Sequence, residues 1–251
     1  MSKANPRDIL RQVAHRPFEM PDGPWIQTQT WDDLLFAHWP ISIDVMRRAV
    51  PQSLELDTFD GSAWLGVVPF VISELRVRSL PPIPPLAAFP EINVRTYVTM
   101  GGKPGVWFFS LDAARLLAVV GARQLYHLPY FHARMSVHHQ GDWIVYESQR
   151  IRQDGAFIGR YRPTGSAANP APGTLDHWLT ERYCLYAIDG RGHIYRGDIQ
   201  HEPWPLAPAD LEIERNTMAA QFRLPDVPPG GLPLLHFSRR QQVVIWPLAR
   251  L

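Results

Sequence analysis

At 251 residues, with 45% hydrophobic and 20% charged, the chain is long enough for one large domain and too apolar to be disordered. A formal charge of +1 leaves no electrostatic footprint for nucleic acid or an anionic membrane, so neither is expected as a partner. A single cysteine, Cys184, excludes an intrachain disulfide framework and fits a reducing compartment.

In chain order, residues 1–24 read as an N-terminal arm without the apolar run of a secretory leader, and no later stretch approaches the roughly 18 apolar residues that span a bilayer. A cytoplasmic protein of one domain, 1–251 with a core over about 31–246, is the expectation. "ISIDVMRRAV" predicts a short helix with Ser42 as N-cap, stopped by Pro51. "LELDTFDGSAWLGVVPFVISELRVR" predicts two strands joined at Asp60-Gly61, and "SLPPIPPLAAFP" a stiff connector. "EINVRTYVTM" alternates as a strand, with Glu91, Asn93, Arg95 and Tyr97 on one face and Ile92, Val94 and Val98 on the other. The turn "GGKPG" then leads to a hairpin partner, "VWFFSL", which carries Phe109.

"DAARLLAVVGARQLY" suits a helix N-capped by Asp112 that ends before Leu128-Pro129. "FHARMSVHH", "GDWIVYESQRI" and "AFIGRYRP" follow as a meander, and "GSAANPAPGT" as a loop. A helical turn at "LDHWL", a hairpin around "DGRG" and a last strand in "LLHFSRRQQVVIWPL" complete the chain. Strands dominate, a few helices decorate them, and no βαβ rhythm appears. The expected class is mainly β with a few helices (α+β), as an antiparallel barrel or a strongly curved sheet.

Chemistry is constrained by what is missing. No phosphate loop and no nucleophile elbow occur. The ten histidines show no metal-ligand spacing, and neither a metal nor an organic cofactor is expected. Cys184, in an apolar strand, reads as packing. Only Lys3 and Lys103 supply amines, one in the arm and one at a hairpin tip where a solvated side chain is expected.

"HWP" at 38–40, "FPEINVRTYV", "PGVWFFSLDA", "ARQLYHLPYFHARM", "LTERYCLY" and "HEPWPL" occur in an order and spelling that resemble the YqjF-like family of uncharacterised bacterial proteins, over roughly residues 31–246. That family is in turn similar to the acetoacetate decarboxylase-like superfamily. The likeness implies a cone-shaped, mostly antiparallel β-barrel around a polar pocket, with a Schiff-base lysine following a proline. By the resemblance, Arg123 stands for an early arginine, Pro129 for that proline and Glu91 for a pocket glutamate. Tyr130 and Phe131 occupy the lysine positions, so a Schiff-base decarboxylase is not expected.

The remaining candidates are Glu91 as acid or base, Tyr130 as a hydrogen-bond donor, and Asn93, Arg95, Tyr97, Phe109, Arg123, Pro129, His201 and Trp204 as ligand-binding residues. Arg95 or Arg123 suits a carboxylate, which makes a small acidic metabolite the expected partner. A lysine-independent enzyme for a small oxo- or hydroxy-carboxylate, a non-catalytic metabolite-binding or sensor protein, and a structural module whose polar groups only pair with one another all remain open. Glu181 and Arg182 are read as stabilising a helix-to-strand junction. No interface signature supports a homo-oligomer.

Overall fold

The computed structural model describes residues 6–81, 88–222, 224 and 232–251. Lys3 and residues 82–87 of the proline-rich connector lie outside these. A short helix, α1 (Pro6–Ile9), precedes β1 (Gln27–Ile41), α2 (Ile43–Ala49), β2 (Glu55–Leu56), β3 (Ala63–Val77), β4 (Ala88–Met100) and β5 (Lys103–Ala113). Helix α3 (Leu116–Tyr126) leads to the meander β6 (Tyr130–Gln140), β7 (Trp143–Arg150) and β8 (Ala156–Pro163). Then come α4 (Leu175–Thr180), β9 (Cys184–Ile188), β10 (Ile194–Gln200), β11 (Ala207–Asn216) and β12 (Leu234–Arg250). No helix of the described residues is long and apolar enough to cross a membrane.

The expected cone-shaped antiparallel barrel is corrected. The strands form one 12-stranded mixed sheet, ordered β10-β9-β5-β6-β7-β8-β11-β12-β1-β3-β4-β2, with further pairings β10–β12 and β5–β4. It branches at β4, β5 and β12, and β5 runs parallel to both β6 and β9. The α+β class holds, because strands hold far more residues than helices, which serve as connections.

Local chemistry explains the bends. Asp33 in β1 and Glu74 in β3 both adopt positive φ (50° and 51°), and the β1–β3 register shifts at two places along the pair. Such bulges kink a strand and increase its twist. The Asp60-Gly61 turn forms as expected, with positive φ at both residues and a bridge between Phe59 and Ser62. The short β2 pairs with β4, however, and not with β3.

Strand β4 is buried on both faces. Ile92, Val94 and Val98 enter the main core with Leu65, Val67, Tyr146, Phe157, Tyr161 and Phe237. On the opposite face, Phe89 joins Val68, Phe70 and Ile72 of β3 and Leu34, Phe36 and Trp204 in a second cluster. That second face positions the site.

Asp112 does not cap a helix. It belongs to β5, where its carboxylate receives two hydrogen bonds from Arg150, at 2.6 and 2.9 Å, and both side chains are fully buried. A fork-to-fork pair outcompetes a cap that would satisfy one N–H, and α3 starts four residues later, at Leu116, with Arg115 at its N-cap. Ser42 does sit at the N-cap of α2, but its side chain makes no capping bond.

Candidate functional site

Alternation along β4 carries Glu91, Asn93 and Arg95 to the face opposite the main core. Across β3 they stand opposite Phe70, Val68 and Gly66, and across β5 opposite Ala113, Leu111 and Phe108. A cavity of about 260 Å³ opens between these strands, α3 and the segment around Trp204. Trp31, Phe70, Phe89, Phe108, Leu111 and Leu128 wall it, so the expected polar pocket is corrected to an apolar one carrying a few polar groups. Those groups include Glu91, Asn93, Arg95, Tyr130, Arg182 and His201.

Glu91 is 3% exposed. The Tyr130 hydroxyl donates to its Oε2 at 3.0 Å, and the Tyr146 hydroxyl donates to its backbone carbonyl at 2.7 Å. Burial, reinforced by the charge of Asp112 and opposed by the Tyr130 hydrogen bond, pushes the Glu91 carboxyl up to about 8. At neutral pH it is chiefly a neutral acid, able to donate a hydrogen bond or a proton to a ligand oxygen. Burial and the neighbouring Glu91 in turn hold the Tyr130 phenol well above its ordinary value, so it remains a donor.

Arg95 is 9% exposed. Its guanidinium lies 5.1 Å from the Phe36 ring centre and 5.8 Å from that of Tyr97, and its Nε has no hydrogen-bond partner. Among the described residues no carboxylate lies within ion-pair distance of it; the buried Arg16 likewise has none and donates to the Ile199 carbonyl and Gln200 Oε1, whereas Arg150 and Arg182 pair with Asp112 and Asp57. Gly66 makes room for it: a Cβ there would sit 3.2 Å from Arg95 Cγ and 3.1 Å from the His38 ring. Asn93, 5% exposed, also lines the cavity with its Oδ1 unpartnered.

His201 and Trp204 line the cavity. His201 is stacked on Tyr183, with ring centres 4.6 Å apart, and its ring nitrogens lie 2.8 and 3.1 Å from the carbonyl oxygens of Glu202 and Arg182. Trp204 packs edge-on against Phe36 and takes its backbone anchor from Glu181, which accepts the Trp204 N–H at 2.8 Å.

Four expected residues fall outside. Tyr97 shares the β4 face but lies beyond the cavity, with its hydroxyl 2.6 Å from His38 Nε2 and its ring against Trp178. Phe109 points the other way from its neighbour Phe108 and packs on Phe222 in the main core. Arg123 is exposed on α3, and its Nε donates to the Tyr130 carbonyl at 2.6 Å. Pro129 contributes its carbonyl to the Leu111 N–H at 3.1 Å, not its ring to the cavity wall.

Sequence reasoning missed Arg182 as a lining residue. It reaches the cavity while paired with Asp57 and donating from Nε to the Trp178 carbonyl at 2.7 Å, and its Nη2 has no partner. Lys103 is not solvated, since its Nζ meets Asp198 at 2.6 Å and its side chain is 15% exposed. Among the described residues no lysine lines the cavity. Cys184 does, but burial pushes its thiol up to about 11, and its Sγ donates to the Pro104 carbonyl at 3.4 Å.

The sequence profile of a family described as uncharacterized conserved proteins, DUF2071, matches residues 28–242. The uncharacterized protein YqjF of Bacillus subtilis (strain 168) is 49% identical over 243 residues, covering 96% of this chain and 99% of its own. Among solved structures, an acetoacetate decarboxylase superposes with a TM-score of 0.60 at 13% identity, over 98% of this chain and 97% of its own. The enduracididine biosynthesis enzyme MppR, in complex with pyruvate, gives a TM-score of 0.63 at 9% identity, over 95% and 94%. At such identities the likeness is one of fold, distantly related to that of the acetoacetate decarboxylases.

Proposed function

The chain belongs to the DUF2071 family of uncharacterized conserved proteins, and we propose that its cavity binds a small carboxylate-bearing metabolite through the Arg95 guanidinium. One observation carries this reading: Arg95 is buried, faces the cavity and has no carboxylate partner among the described residues. A buried cation without a counter-charge costs several kcal/mol, and an anionic ligand offsets that cost where it binds. Arg182, whose Nη2 is unpartnered on the same cavity, adds a second cationic donor. A neutral Glu91 supports the same reading, because it places no second negative charge in the cavity. The pyruvate bound by MppR is a carboxylate of the same class.

The test is thermal denaturation and calorimetry at pH 7 with short carboxylates and with the primary amides of the same acids. Carboxylates raise the melting temperature and amides do not. Arg95→Gln weakens carboxylate binding on the order of tenfold to a hundredfold, the worth of a charged hydrogen bond. Equal stabilisation by acids and amides, or an Arg95→Gln protein that binds as the parent does, rejects the reading.

A further inference from the structure

Arg95 and the Glu91–Tyr130 pair occupy only part of the cavity; the rest is aromatic and aliphatic. At the roughly 30 Å³ that a water takes in the liquid, about 260 Å³ holds about nine water-sized groups, well beyond a three-carbon acid. The strand register gives the cavity a direction. Arg95 stands opposite Gly66, while Phe89 stands opposite Ile72, further along β3 toward Leu75 and Val77. Leu75, Val77, Gln27 and Gln29 line the same cavity, as does Leu125 of α3, which is 72% exposed and marks the mouth. Between mouth and Arg95 the path runs past Phe70, Phe89 and Phe108, with no charged group among the described lining residues at the mouth.

We infer that the ligand is a monocarboxylic acid with an extended apolar body of about eight carbons or one aromatic ring, its carboxylate inward on Arg95 and its body running out under α3. The inference rests on the Arg95 reading and adds the class of acid. An apolar wall returns nothing to a second carboxylate, whose desolvation would go uncompensated, so dicarboxylates of equal length are rejected. One uncharged oxygen on the body is tolerated, since Glu91 and Tyr130 can hydrogen-bond to it.

The experiment is titration calorimetry of the full chain at pH 7 with butanoate, hexanoate, octanoate, suberate and octan-1-ol. Affinity rises about fourfold per added methylene up to octanoate, and suberate binds at least tenfold more weakly than octanoate. Gly121→Leu, at a lining position of α3 where an added Cβ meets nothing within 4 Å, shifts the optimum to a shorter acid while thermal unfolding of the unliganded protein shows a folded chain. Butanoate binding as tightly as octanoate, or suberate matching octanoate, overturns the inference and leaves the Arg95 reading standing. Octan-1-ol binding as tightly as octanoate, with Arg95→Gln changing neither, removes the Arg95 reading while the length dependence survives. Binding by none of the five overturns both.

Discussion

Glu91 couples the site to stability through its proton. Its folded value near 8 stands above the ordinary 4.5 of an unfolded glutamate. Below pH about 4.5 both states hold the proton. Between about 4.5 and 8 only the folded state does, so unfolding releases a proton and stability falls as pH rises, by up to about 1.4 kcal/mol per unit. Glu91→Gln removes this contribution, and urea unfolding at intervals from pH 5 to 8 should show the variant gaining steadily on the parent. Parallel profiles would mean that Glu91 titrates normally. Tyr130, Tyr146, Asp112 and Arg150 are common to both proteins, and their effects cancel to first order in the comparison. The same titration weakens carboxylate binding above pH about 8, when a second negative charge enters the cavity. Asp112 carries a different load: Asp112→Ala strands the Arg150 guanidinium, leaving Ser110 as its buried side-chain partner. A loss of about 3–5 kcal/mol in urea unfolding is expected, and a loss under 1 kcal/mol would contradict the pairing.

At the scale of elements, β4 was legible because its period of two is unbroken from Glu91 to Val98, and the meander β6–β8 because each strand ends on a turn signal. β1 was not legible. It is continuously buried from Leu34 to Trp39 and bulged at Asp33, so no alternation survives in its sequence. β11 hid behind Pro208, which reads as a loop until its pairing with β8 is seen. The site was half legible for the same reason. Alternation puts Glu91, Asn93 and Arg95 together, but Phe108 in place of Phe109 is set by a one-residue shift in the β4–β5 register between Val94 and Arg95. Arg182 signalled only a junction, because its approach to the cavity depends on a tertiary pairing with Asp57. Helix α3 gives this scale its prediction. Gly121→Ala keeps the mouth open and raises thermal stability by up to about 1 kcal/mol, the difference in helix propensity; a destabilised variant would mean that the added methyl meets an obstacle.

For the molecule as a whole, the branched sheet does what two separate layers do elsewhere. One face of β3 and β4 builds the main core with the meander, and the other is left to enclose a cavity with β1, β5, α3 and the Trp204 segment. The core can therefore be fully packed while the second face keeps an unfilled volume and an unpaired guanidinium. Natural interiors are otherwise close-packed and buried charges otherwise paired, which is why the two exceptions in one place point to a ligand. The most direct test is a crystal structure of the protein grown with octanoate. Carboxylate oxygens are expected within hydrogen-bond distance of the Arg95 guanidinium, with the chain lying between Phe70 and Phe108. A carboxylate at the mouth beside Gln27 and Gln29, or a cavity filled by side chains with Arg95 paired to a protein carboxylate, would contradict it.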